Sequence, residues 1–231
     1  MSSLLPLAGL ALVAAPLPAL ACSVAPGYRV PTNMELVEEA DLILLGTIAD
    51  GDFEPDGTER PMIAVEPVAA LKGAMPPAPI AIPAMITTDA AARLSNPYEL
   101  EHAHPQSLAG ACVRFIFLRG SRVLFFLDRE DGAWRVAGGP FSRWAEDVLT
   151  DDAPWLQAVR LYVEVAKLPE ADRTAALAAR RDELAAIDDD PVAQLIAADI
   201  ARQMDGPNAP LRGELPPPPD EMAPEDDEPL G

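Results

Sequence analysis

The chain has 231 residues, of which 49% are hydrophobic, 5% aromatic and 26 are proline, with a formal charge of −20. That charge excludes nucleic acid and anionic membrane surfaces as partners, because both would repel it. The length allows one well-cored domain plus an appendage, at roughly 100–200 residues per domain.

Residues 1–21 read as a signal peptide. Residues 4–20 carry no charged or hydrogen-bonding side chain, and Pro16 and Pro18 break the apolar run just before Ala19, Leu20 and Ala21. That triplet fits the small-x-small rule for cleavage. Arg29 is the first basic residue, so the free amino group alone supplies positive charge at the start. Cleavage after Ala21 makes Cys22 the first residue of the mature protein. The competing reading is a membrane anchor, but a short, proline-broken run spans roughly 30 Å of hydrocarbon poorly. No later stretch is long and apolar enough to cross a bilayer, so the expected location is periplasmic or extracellular. Cys22 and Cys112 are the two cysteines of the chain. Export and an even count together favour a disulfide between them.

Residues 22–148 read as β. A short amphipathic helix over 33–40, capped by Thr32, precedes the first strand. Strands are expected at 42–48, at 62–68 with a bend at Pro67, and at 79–83. Residues 113–118 and 122–127 are two apolar strands joined by a turn at Arg119, Gly120 and Ser121. Asp131 and Gly132 signal a hairpin turn into a strand at 133–136. Short strands separated by turn signals suggest a small barrel or sandwich.

Residues 149–205 read as a helical extension. Asp151 and Asp152 can cap a helix with Pro154 in its first turn, and Trp155, Val159, Tyr162, Val163 and Ala166 share one face. Pro169 opens a second helix through Leu177, Leu184 and Ile187. Asp188, Asp189 and Asp190 end it and start a third at Pro191, with Val192, Leu195, Ile196 and Ile200 inward. Residues 206–231 read as a disordered, acidic, Pro-rich tail. From Asp205 onward there are eight acidic residues and one Arg. Such a stretch buries too little apolar surface to offset its ordering entropy. The four consecutive prolines from Pro216 favour polyproline II, so a docking peptide is the alternative.

A family resemblance lies in the order of these pieces. Cys22 and Ser23 at the mature start, a short helix, and residues 40–48 with Ala40, Asp41, Gly46 and Thr47 resemble the opening of the tissue-inhibitor-of-metalloproteinases and netrin-like group. So do residues 65–73, with Pro67, Lys72 and Gly73. So does Cys112 followed by Phe115, Phe117, Gly120, Ser121 and the apolar run 122–127. The resemblance covers residues 22–130. It implies an OB-like β-barrel with the N-terminal segment pinned across it by a disulfide, so the fold expected is mainly β with a short helical bundle and tail appended. Val24 stands where that group's inhibitors carry a second cysteine. In those inhibitors the α-amine and carbonyl of the first Cys chelate a protease zinc, and Cys22 is placed to do so once Ala21 is removed.

No catalytic or cofactor-binding residue is assigned. There is no Gly-rich phosphate loop, no Gly-x-Ser-x-Gly and no His-Glu-x-x-His. No metal site is assigned either; the residues that would supply one are His102 and His104, on one side of an extended strand, and Cys22. The Pro97 and Pro105 flanks favour a loop there. Lipidation of Cys22 is a further reading, though Ala19 stands where a lipoprotein signal has Leu and Cys112 would be left alone. The expected function is a secreted or periplasmic non-catalytic binding module of unknown ligand. The alternatives are a metalloprotease inhibitor acting through Cys22, or an enzyme of unrecognised class.

Overall fold

Thr32 starts the first helix, α1 (Asn33–Glu39), with a reciprocal capping box. Its side chain accepts from the Glu35 N–H, and the Glu35 carboxylate accepts from the Thr32 N–H. Seven residues make a marginal helix alone. Burial of Met34, Leu36 and Val37 holds it in place. The computed structural model describes residues 24–53, 60–89 and 95–213. The expected signal peptide, Cys22 and residues 214–231 of the expected tail lie outside the described residues.

The architecture is mixed, with an antiparallel six-stranded sheet, a parallel two-stranded ribbon and four helices among the described residues. Strand β1 (Leu42–Gly51) is central, paired antiparallel on one side to β2 (Met62–Lys72) and on the other to β6 (Arg122–Glu130). Beyond β2 lies β3 (Ile80–Pro83), and beyond β6 lie β7 (Ala133–Val136) and β8 (Ala145–Asp147). Strand β4 (Met85–Thr87) pairs in parallel with β5 (Ile116–Leu118). Alternating directions leave β3 and β7 parallel to each other, and these outer strands come within 8 Å between Cα atoms without pairing. No closed barrel forms among the described residues.

Strand β1 is apolar without alternation because both of its faces are buried. Leu42, Leu44 and Ile48 face a core shared with Ile82, Phe117, Phe125 and Trp144. Ile43 and Leu45 face a second core shared with Phe126, Trp155, Val159 and Ile200 of the helical layer. Strand β2 is longer than expected. Pro67 stays within it, opposite Gly46, where the register shifts. That is where a residue without a ladder N–H belongs. The hairpin at Asp131 and Gly132 forms, with φ of 49° and 79°, the paired positive values of a type I′ turn. The turn at residues 119–121 also forms, but its two strands separate, β5 to the ribbon and β6 to the main sheet.

The helices are α2 (Pro154–Ala166), α3 (Glu170–Ala185) and α4 (Pro191–Met204). Trp155, Val159, Tyr162 and Val163 are buried on α2 as its spacing predicts. The expected aspartate caps do not form at its start. The N-cap is Ala153 without a side-chain bond, and Asp151 instead pairs with Arg122. Asp190 does cap α4, accepting from Val192 and Ala193. Leu177 is the buried residue of α3, which packs mainly against α4. The segment expected to be tail from Gly206 lies, as far as Gly213, beside the N-terminal segment. Leu211 donates to Tyr28 O at 2.9 Å and Gly27 to Arg212 O at 3.1 Å.

Candidate functional site

Strand β8 is three residues long, all buried, and two of them are acids. Antiparallel pairing to Val123–Phe125 of β6 fixes its direction. Each acid is held by a fixed cation or N–H. Asp147 receives Arg114 bidentately, Nη1 to Oδ2 at 2.9 Å and Nη2 to Oδ1 at 3.2 Å. Ser95 and Asp147 also exchange bonds: the Ser95 N–H donates to Oδ2 and the Asp147 N–H donates to Ser95 Oγ, both at 2.9 Å. The Arg114 guanidinium lies 4.5 Å above the Phe117 ring. Glu146 accepts from the His104 N–H at 3.0 Å and stands 3.8 Å from Arg143.

Arg143 links this cluster to the helices. Its Nη1 donates to His102 O, and its guanidinium stacks 4.4 Å from the Trp155 ring on α2. Arg143 Nε and Trp155 Nε1 are buried and have no acceptor. Both residues line a cleft of about 290 Å³ bounded by the loop at Ser95–Tyr98, by β8, by the β8–α2 connection and by the start of α4. Tyr98 and Leu149 stand on its rim, 73% and 59% exposed. The N-terminus of α2 opens at the same cleft through Ala153 and Pro154. The cleft therefore combines charged residues of β8 in its lining with apolar groups on its rim.

The sequence-predicted site residues lie elsewhere or apart. Cys22 is outside the described residues. His102 and His104 do not converge. The His102 side chain is 67% exposed and stands 3.3 Å from Glu99. His104 is buried, and its Nδ1 accepts from the Gln106 N–H to open the 3-10 turn Pro105–Leu108. His102 does gather with Glu99 and Glu101, ligand atoms within 4.8 Å of one another. Glu99 is already engaged there by the N–H groups of Glu101 and His102. Partial burial pushes its carboxyl up, but those two N–H groups and the His102 side chain outweigh it and hold the carboxyl below its usual range. Arg202 sits 3.5 Å from Glu101 as well. Sequence reasoning missed Arg143, Trp155, Asp147 and Ser95. The available signal was the density of charge beside tryptophan over residues 143–147.

A second buried carboxylate joins the helices. Asp199 accepts from Tyr162 at 2.6 Å, from Asn33 at 3.0 Å and from Arg202 at 2.5 Å. Asn33 turns its other amide hydrogen to Leu100 O at 2.8 Å. Arg202 carries this cluster outward, where it also approaches Glu101 at 3.5 Å.

No protein-family model matches the chain, and no curated protein matches it significantly. No helix among the described residues is long and apolar enough to cross a membrane.

Proposed function

We propose that the protein is a non-catalytic binding module that works in the periplasm or outside the cell, on an OB-like scaffold. The observation that carries the reading is the state of the buried carboxylates. Asp147, Glu146 and Asp199 are each buried and engaged by fixed donors. A general acid or base needs a titrating group open to substrate, and these carboxylates are closed off by burial and by their partners. The rim of Tyr98, Pro97 and Leu149 supplies apolar contact of the kind binding surfaces use. The approach of the parallel outer strands β3 and β7 across an unpaired gap supports the partly open barrel that the netrin-like resemblance implies.

The test is capture from the compartment itself. Mature protein and a Tyr98→Ala, Leu149→Ala double variant are used as baits on periplasmic extract or culture medium. A component retained by the first and lost by the second is the expected result. Equal retention by both, or turnover of a candidate substrate abolished by replacing Glu146, would overturn the reading.

A further inference from the structure

We propose that the Gln106 side chain closes the free edge of β5 and keeps a second copy of this chain from pairing there. The inference goes beyond the binding-module reading and does not depend on it. The ladder of β5 to β4 uses alternate residues. Met85 donates to Phe115 O and Arg119 donates to Thr87 O, both at 2.9 Å. The N–H and C=O of Ile116 therefore point away from β4. On the other side of the ribbon β4 is already covered, since Ile86 donates to Asp52 O at 2.9 Å. The sequence makes the β5 edge a hazard. Phe115, Ile116, Phe117 and Leu118 are consecutive residues of high strand propensity, with neither charge nor proline among them. Ile116 is 39% exposed. Such a stretch with free backbone groups is a template for another chain. Proteins often guard an edge with Lys or Pro, and β5 carries neither.

A side chain takes the place of a neighbouring strand. Gln106 Oε1 accepts from the Ile116 N–H at 2.9 Å, and its Nε2 donates to Ile116 O at 2.9 Å. A primary amide carries the donor and the acceptor of a peptide group. Gln106 thus occupies both backbone groups through which Ile116 would pair with another strand. The 3-10 turn Pro105–Leu108 fixes where Gln106 stands, and His104 Nδ1 accepts the Gln106 N–H at 3.2 Å. A second copy is the occupant that this edge suits. Across a two-fold axis the Ile116 residues of two copies stand opposite each other and exchange both backbone bonds, as an antiparallel hydrogen-bonded pair does. Their exposed side chains then meet on one face. Residues 115–118 are also an uncharged break in a chain of −20, so copies meet there with less repulsion than elsewhere. Pairing must first break the two Gln106 bonds in each copy, which holds the copies apart.

The test compares the wild-type protein with Gln106→Ala by sedimentation velocity over a series of concentrations. Release of the edge should tighten self-association by about tenfold or more, because no side-chain bond is given up on pairing. Adding Ile116→Pro removes the outward N–H and no ladder group, and should return the variant to wild-type behaviour. Hydrogen exchange gives a reading that needs no variant: the Ile116 amide should be protected in the wild-type protein. In Gln106→Ala the same amide should exchange fast when dilute and slowly when concentrated. Rapid exchange at Ile116 in the wild-type protein overturns the proposal. So does equal association of wild type and Gln106→Ala, or association that survives Ile116→Pro. Protection of Ile116 in Gln106→Ala at every concentration would mean that another part of the same chain covers the edge, and overturns it too.

Discussion

Tyr162 donates its phenol hydrogen to the Asp199 carboxylate at 2.6 Å, joining α2 to α4 in full burial. Asn33 of α1 and Arg202 of α4 reach the same carboxylate, so one acid ties three helices together. Removing it strands a buried hydroxyl and a buried amide. Asp199→Ala should therefore cost about 3 kcal/mol, and Tyr162→Phe about 1–2 kcal/mol. Urea denaturation checks both, with a lower midpoint at unchanged slope.

The same pair sets the alkaline limit of the fold. Burial, then the Asp199 charge, then the hydrogen bond to it hold the Tyr162 phenol far above its ordinary value of 10.0. Above about pH 10 the unfolded chain releases this proton and the folded chain keeps it. Stability from the neutral phenol is thus complete below pH 10 and is lost as pH rises beyond it. Tyr162→Phe should be less stable at neutral pH yet lose stability less steeply above pH 10. Parallel slopes for the two proteins in denaturation against pH would refute the assignment.

Two arginine–aspartate pairs should differ sharply in worth. Arg114 and Asp147 are 2% and 1% exposed as side chains. Arg119 and Asp50 are 43% and 68% exposed. Arg114→Ala leaves a buried carboxylate with Ser95 alone and should cost about 3–5 kcal/mol. Arg119→Ala should cost less than about 1 kcal/mol. Thermal unfolding separates them, and similar losses would contradict the burial argument.

Gly73 follows β2 with φ of +81°, and a Cβ there would stand 2.5 Å from Asp41 O. Neither the left-handed backbone nor the backbone oxygen yields cheaply. Gly73→Ala should destabilise by about 2 kcal/mol or more. Gly132→Ala has the same kind of φ, +79°, but nothing within 4 Å of its Cβ. It should cost about 1–2 kcal/mol, the conformational part alone. Denaturation midpoints of the two variants check the order.

What was legible in the chain was local. The Thr32 cap, the Asp131–Gly132 turn and the Asp190–Pro191 start each draw on neighbours within a few residues. What was not legible depends on distant partners. Ala145, Glu146 and Asp147 have no strand signature; β6 pairing and Arg114 make them a buried strand. Asp199 reads as a polar residue on an apolar helix face, and its partner Asn33 is 166 residues away. Asp151 looked like a cap because capping is local, and it was drawn off by Arg122, 29 residues earlier. His102 and His104 looked alike, and the fold sends one to solvent and the other under β8. The cleft is assembled from four segments, so no single stretch announces it.

The N-terminus carries the remaining expectation. The Tyr28 hydroxyl donates to Pro140 O at 2.6 Å, and Phe141 of the same loop donates its N–H to Cys112 O at 2.6 Å. The N-terminal segment and Cys112 thus meet one loop, although they lie more than 80 residues apart in the chain. Cys22 lies six residues before Tyr28, an extended reach of roughly 20 Å, so a bond to Cys112 is within range. It would close a loop of roughly 90 residues, for which chain entropy suggests about 4–5 kcal/mol. Protein recovered from the periplasm should have a mass beginning at Cys22 and lacking two hydrogens. Cys22→Ser and Cys112→Ser should lose the same stability, because either one opens the same loop. Retention of residues 1–21 would remove the compartment argument, and two titratable thiols in the native exported protein would remove the bond.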